Sequence, residues 1–188
     1  MPTTLQTPRM ACFFDGAAIA ASWRRLQERR PPALDLPFLA DKIAGWLGGT
    51  ATQITYRPPA LRSPIARRRA AAYERALAER GVRIDPSETD IGSTIFLQRL
   101  AGGFDRAIVL TSSVHGLIER SPLLTELCSR PRRQRPRRLV IHVVTPPGAE
   151  LIPHGDTWPV LDSGELDAGI FRRAVLTARP RRITNPAA

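Results

Sequence analysis

Lysine is almost missing from this sequence: of its 28 basic residues only Lys42 is not arginine. Cysteine is scarce too. Cys12 and Cys128 lie far apart, which suggests neither a disulfide framework nor a zinc site, and both read as buried free thiols. No apolar run approaches the roughly 18 residues of a membrane span. Residues Met1 to Arg9 lack the regions of a secretory signal. A membrane partner is therefore not expected, and the cytoplasm is the expected compartment. Aromatic residues make up only 6% of the chain and form no stacking motif, which argues against single-strand readout by base stacking.

What is present is charge of one sign. The formal net charge is +11. Arginine offers a planar fork to phosphate oxygens, so a polyanionic partner is expected, although a GC-rich genome enriches arginine over lysine without selection for binding. At 188 residues and 43% hydrophobic content, the chain suits one well-buried α/β domain and is too short for two of ordinary size.

Met10-Ala11-Cys12-Phe13-Phe14 is a continuous apolar run that stops at Asp15-Gly16. Such a run suits a strand buried on both faces of a parallel sheet. Ligands of open α/β folds sit beyond the carboxyl ends of such strands, which makes Asp15 the leading candidate residue, with Gly16 allowing a sharp exit into a helix. A solvated turn aspartate is the plainer reading of the same pattern.

Helices are expected over 17–29, with Ile19, Trp23 and Leu26 inward, and over 36–47, with Leu39, Ile43 and Trp46 inward. Thr50 to Tyr56 reads as a strand, and Ser63-Pro64 caps a helix running to about Arg80, with Gly81 closing it. A short strand is expected at 82–84, a helix at 91–100 with Ile91, Ile95, Phe96 and Leu100 inward, and a buried strand at 107–110 leading into Thr111-Ser112-Ser113. Ser121-Pro122 opens a short helix to about Ser129; 139–144 is a core strand, 157–160 an edge strand, and 166–176 a last helix. This alternation predicts a single Rossmann-like α/β domain over 9–176, with a mostly parallel central sheet and helices on both faces. Tails of 1–8 and 177–188 flank it.

With Phe14-Asp15-Gly16 and Leu110-Thr111-Ser112-Ser113 at two strand ends, the chain resembles the NYN family of PIN-like ribonuclease domains over roughly residues 9 to 176. That family opens with a strand ending in Asp-Gly-x-Asn, matched here by Asp15 and Gly16, with Ala18 at the asparagine position. Its helix-start aspartate matches Asp90, without the preceding lysine, and its next helix acid falls at Phe96 or Gln98. Its Ser-Gly-Asp-x-Asp run corresponds to Thr111-Ser112-Ser113-Val114-His115, so Ser113 and His115 replace both acids. Residues 166–173 look like the family's terminal helix.

The resemblance implies a PIN-like fold, RNA as partner, and Mg²⁺ or Mn²⁺ held by clustered carboxylates that activate water. Here Asp15 and Asp90 would be the metal ligands. Two carboxylates can hold one such ion weakly but cannot build a two-ion clamp, so the resemblance implies a weakened or lost nuclease site, with no metal held if it is lost. Asp15, Asp90, Ser113 and His115 are the candidate catalytic residues. Asp90 also reads as an ordinary helix cap, Ser113 as a loop hydrogen-bonding group, and His115 as a loop histidine or a metal-free acid–base.

Candidate nucleic-acid contacts are Arg67 and Arg68 in the 63–80 helix, and Arg132, Arg133 and Arg135 in the dense 130–138 basic segment. Three readings stay open: an RNA binder with a degenerate site, an active Mg²⁺- or Mn²⁺-dependent endoribonuclease recruiting Glu88, Asp105 or Glu119, and an arginine-rich scaffold for an acidic protein. A haloacid-dehalogenase-type phosphatase is set aside because Ala17 stands where its second aspartate belongs, and a dinucleotide site because no Gly-x-Gly-x-x-Gly follows the first strand.

Overall fold

Six strands and five helices are seen in the computed structural model, which describes residues 7–26, 33–85, 91–112, 121–122, 139–149 and 160–175. In chain order they are β1 (Arg9–Asp15), α1 (Gly16–Arg25), α2 (Leu36–Trp46), β2 (Thr50–Arg57), α3 (Pro64–Glu79), β3 (Arg83–Ile84), α4 (Ile91–Leu100), β4 (Arg106–Leu110), β5 (Val140–Thr145), β6 (Val160–Glu165) and α5 (Ala168–Arg173). The strands pair in the order β3-β2-β1-β4-β5-β6, and every pair is parallel. This is a Rossmann-like α/β domain whose strand order reverses between β1 and β4.

Alternation along the strands divides the core. Met10, Cys12 and Phe14 of β1 join Trp23 of α1, Leu39 and Ile43 of α2, Leu77 of α3 and Phe171 of α5 on one face. Ala11 and Phe13 join Ile95 of α4, Phe104, Val109 and Val143 on the other. Four of the five described helix starts have a chemical reason: Asp15, Asp35, Ser63 and Asp167 cap α1, α2, α3 and α5 through their side-chain oxygens. At the other end of α3, Gly81 turns the chain out with φ +81, a backbone region that favours glycine.

Several expectations need correction. The edge strand runs over Val160–Glu165, past the expected end at 160, because Ile141, His142 and Val143 of β5 register with Val160, Leu161 and Asp162; residues 157–159 lie outside the described residues. Trp46 is 54% exposed: it sits in the last turn of α2 at the margin of the stripe formed by Leu36, Leu39, Ala40, Ile43 and Ala44. On α4, Leu100 is exposed and Phe96 only half-buried, while Thr94 and Gln98 turn inward with Ile95. The reason is polar: Thr94 and Gln98 find hydrogen-bond partners on the sheet edge, as described below. The helix expected after Pro122, Cys128 and the C-terminal tail lie outside the described residues.

Cys12 is fully buried on β1, and burial followed by the Asp41 charge pushes its thiol up to about 12, which keeps it an inert core group. No described helix is long and apolar enough to cross a membrane.

Candidate functional site at the carboxyl edge

The point where strand order reverses is closed by one hydrogen bond. Asp15 ends β1 and Thr111 follows β4, and the Thr111 hydroxyl donates to Asp15 Oδ2 at 3.0 Å. The other oxygen, Oδ1, accepts from the backbone N–H groups of Ala17 (2.9 Å) and Ala18 (3.3 Å) and so caps α1. An ionised carboxylate has about four lone-pair sites, and three of Asp15's are occupied by these bonds. Thr111 is itself held by donating its backbone N–H to the Val144 carbonyl. Asp15 is thus fixed by groups from β4 and α1 at the place where open α/β sheets bind ligands.

Gly16 is needed here for a different reason from the one the sequence suggested. Its φ is not positive. Instead, a Cβ at this position would lie 2.6 Å from the Arg57 carbonyl oxygen and 2.8 Å from the Tyr56 hydroxyl. Only a residue without a side chain lets the end of β2 pass this close to the first turn of α1. Burial, then the Glu74 and Asp15 charges, raise the Tyr56 phenol well above its ordinary value, so it stays a neutral hydroxyl beside the cap.

A row of charges crosses the next two strands. Arg57, the last residue of β2, is in register with Asp15. Asp85 follows β3, donates its backbone N–H to the Tyr56 carbonyl, and places Oδ2 3.7 Å from Arg57 Nη2. Both side chains of this pair are largely covered, at 23% and 13% exposed. From α4, the Thr94 hydroxyl donates to the same Asp85 oxygen at 2.8 Å, and one turn on, Gln98 Nε2 donates to Thr55 Oγ1 of β2 at 3.2 Å. Phe13, Ile91, Thr94, Arg57 and Asp85 line a cleft of about 10 Å³, room for about one water.

Acid, arginine and acid therefore alternate across β1, β2 and β3. The arginine places positive charge where a cation clamp would need negative charge. Among the described residues, no three His, Cys, Asp or Glu side chains gather at one point. Beyond its three bonds Asp15 keeps one lone-pair site, and Arg57 stands on the strand between it and Asp85.

Of the sequence candidates, Asp15 lies at this edge. Asp90, Ser113, His115, Arg132, Arg133 and Arg135 lie outside the described residues, as do Glu88 and Glu119. Asp105 does not belong to the site. It precedes β4 at the opposite edge of the sheet, accepts the Arg9 N–H at 3.0 Å, and pairs with the Arg9 guanidinium. Six residue steps along β1, about 20 Å, separate that end of the strand from Asp15.

Arg67 and Arg68 stand in the first turns of α3, but they serve differently. Arg67 donates Nε to the Leu61 carbonyl (3.0 Å) and Nη2 to the Arg62 carbonyl (3.2 Å), clasping the loop before its own helix. Arg68 is exposed. Sequence reasoning missed Arg57, Asp85, Thr94 and Gln98. Asp85 was findable, since it directly follows an expected strand as Asp15 ends one.

The chain is defined by its structure as a Rossmann-like α/β protein with a hydrogen-bonded acid at the switch point of its sheet. It matches no family model, no curated protein and no solved structure.

Proposed function

We propose that this protein is a PIN-like, NYN-type RNA-binding protein whose metal-dependent nuclease site is weakened or lost. The observation that carries the reading is the state of Asp15. It occupies the switch-point position from which a catalytic carboxylate would work, yet three of its lone pairs serve α1 and Thr111. The neighbouring acid, Asp85, is committed to Arg57 and Thr94. Carboxylates that hold a fold together at the old reaction edge are what remains when the chemistry goes and the scaffold stays. The formal charge of +11 supports a polyanionic partner for that scaffold.

The test is calorimetric titration of Mn²⁺ and Mg²⁺ into the full chain and into Asp15→Asn, with and without a single-stranded RNA carrying non-cleavable linkages. The expected result is no metal heat, together with RNA binding that Asp15→Asn leaves unchanged. Metal binding that disappears with Asp15→Asn, accompanied by Mn²⁺-dependent cleavage of ordinary RNA, would overturn the proposal in favour of an active endoribonuclease. Absence of RNA binding under both conditions would overturn it in favour of a protein-docking scaffold.

A further inference from the structure

α3 is the longest described helix and the least buried. Of its sixteen residues only Leu77 is fully covered. Ala66, Ala70, Tyr73 and Leu77 recur at helical spacing and form the inner stripe, with Tyr73 packed against the main core. The opposite face carries Arg68, Ala72 and Arg75, Arg69 stands about 100° around the axis on its flank, and all four residues are exposed. Between the arginines stand Ala71, Ala72 and Ala76, whose methyl groups leave the guanidinium groups standing clear of the helix surface.

Several other arginines are committed: Arg9 to Asp105, Arg57 to Asp85, Arg80 to Asp35, Arg25 to the Gly148 carbonyl, and Arg67 to its own loop. Arg68, Arg69 and Arg75 have no carboxylate partner among the described residues. A solvated helix face would ordinarily interleave acids with its bases. On α3 the acids are Glu74, on the flank, and Glu79, which closes the same face one turn beyond Arg75.

Location matters as much as charge. α3 follows β2 and begins seven residues after Arg57, so its first turns rise from the carboxyl edge that holds Asp15. Arg68 and Arg75 are two turns apart, about 10 Å along the axis. At the start of the same face, Ile65 is 65% exposed and lies one turn before Arg68 and Arg69, an apolar surface of the size a base would cover.

Resting on the RNA-binding reading above, we propose that this face of α3 is the phosphate track. Arg68, Arg69 and Arg75 hold the backbone of a single RNA strand, and Ile65 lies under one base near the edge marked by Asp15. Arg67, fixed to carbonyl groups, serves the turn rather than the strand.

The test uses the full chain, a labelled single-stranded oligouridylate and affinity measured across a salt series. Each phosphate neutralised on a single strand contributes about −0.7 to the slope of log K against log salt. The Arg68→Ala/Arg69→Ala/Arg75→Ala variant is expected to make the slope shallower by about 2 and to weaken low-salt binding more than tenfold. Arg172→Ala/Arg173→Ala on α5 should leave the slope unchanged, and Ile65→Ala should lower affinity without altering it. Wild-type RNA binding with an unchanged slope in the triple variant overturns the track while leaving the RNA-binding reading intact. No RNA binding by the wild type overturns both. Polyglutamate of matched length binding as tightly as RNA, with the same loss in the variant, also overturns the track and points to an acidic protein as occupant.

Discussion

α1 and α3 both rise from the carboxyl edge of the sheet, one after β1 and the other after β2, and they face the same half of the core. α1 is short and committed. Five of its ten residues are buried, Asp15 caps it with two bonds, the Ser22 hydroxyl donates to the Pro147 carbonyl, and Arg25 reaches the Gly148 carbonyl. α3 has one buried residue in sixteen, and Ser63 caps it through a longer bond of 3.5 Å. The helix beside the acid is stitched into the fold at both ends; the helix beside the arginine row keeps its polar face for something else. Where side chains are already spent on structure, substitution should cost stability. Where they are not, it should cost only binding.

The largest break in that contrast is Trp23→Ala. Trp23 is buried on α1 against Phe171, with ring centroids 5.6 Å apart. Emptying that space is expected to cost about 3–5 kcal/mol, whereas Arg75→Ala on α3 should stay within about 0.5 kcal/mol. Equilibrium denaturation of both variants measures the difference. Trp23→Phe sharpens it. The indole N–H has no acceptor among the described residues, so the phenyl ring removes an unsatisfied donor and should recover most of the loss. A Trp23→Ala cost no larger than that of Arg75→Ala would erase the distinction between the two helices.

The caps come next. Asp15→Ala removes the acceptor for two N–H groups and for Thr111, with an expected cost of about 1–2 kcal/mol. Asp15→Asn keeps a capping oxygen, and the Thr111 hydroxyl can turn to accept from the new amide, so it should cost under about 0.5 kcal/mol. Ser63→Ala should fall between them, near the low end of cap effects at about 0.5 kcal/mol. If Asp15→Asn costs as much as Asp15→Ala, the charge itself is needed in the fold, and Asp15→Asn could no longer serve as a clean probe of metal binding.

This ranking also shows what the sequence could and could not disclose. The strand ending at Asp15, the Ser63-Pro64 helix start and the α4 boundaries are legible because local chemistry decides them: an apolar run stopped by a carboxylate, a cap followed by proline. The inward face of α4 was misread because periodicity weighs Phe96 and Leu100 above Thr94 and Gln98. The partners that draw those polar groups inward, Asp85 and Thr55, are on strands distant in sequence. Gly16 was read as a turn residue, whereas its necessity comes from β2 passing overhead, which no local pattern can report. Asp105 was weighed as a possible site acid because strand polarity, not sequence distance, puts it at the wrong end of β1.

Asp105 also supplies the smallest expected effect, at the edge of β1 far from the two helices. The Arg9 N–H, followed by the Arg9 guanidinium, lowers its carboxyl below the ordinary value of 3.8, against a burial contribution that raises it. A folded-state pKa held below the unfolded one contributes stability above pH 3.8, and that contribution is lost as pH falls through the lower folded value. Because both side chains are about half exposed, solvent screens the pair and the contribution should be under about 0.5 kcal/mol. Denaturation midpoints of wild type and Asp105→Asn should therefore differ slightly at pH 6 and converge as the solution is taken well below pH 3.8, with added salt shrinking the pH 6 gap. A gap that survives both acid and salt would mean that Asp105 acts through packing rather than charge. The amino edge would then resemble α1 in being structurally committed, and the contrast between spent and available charge would belong to the whole sheet rather than to its two leading helices.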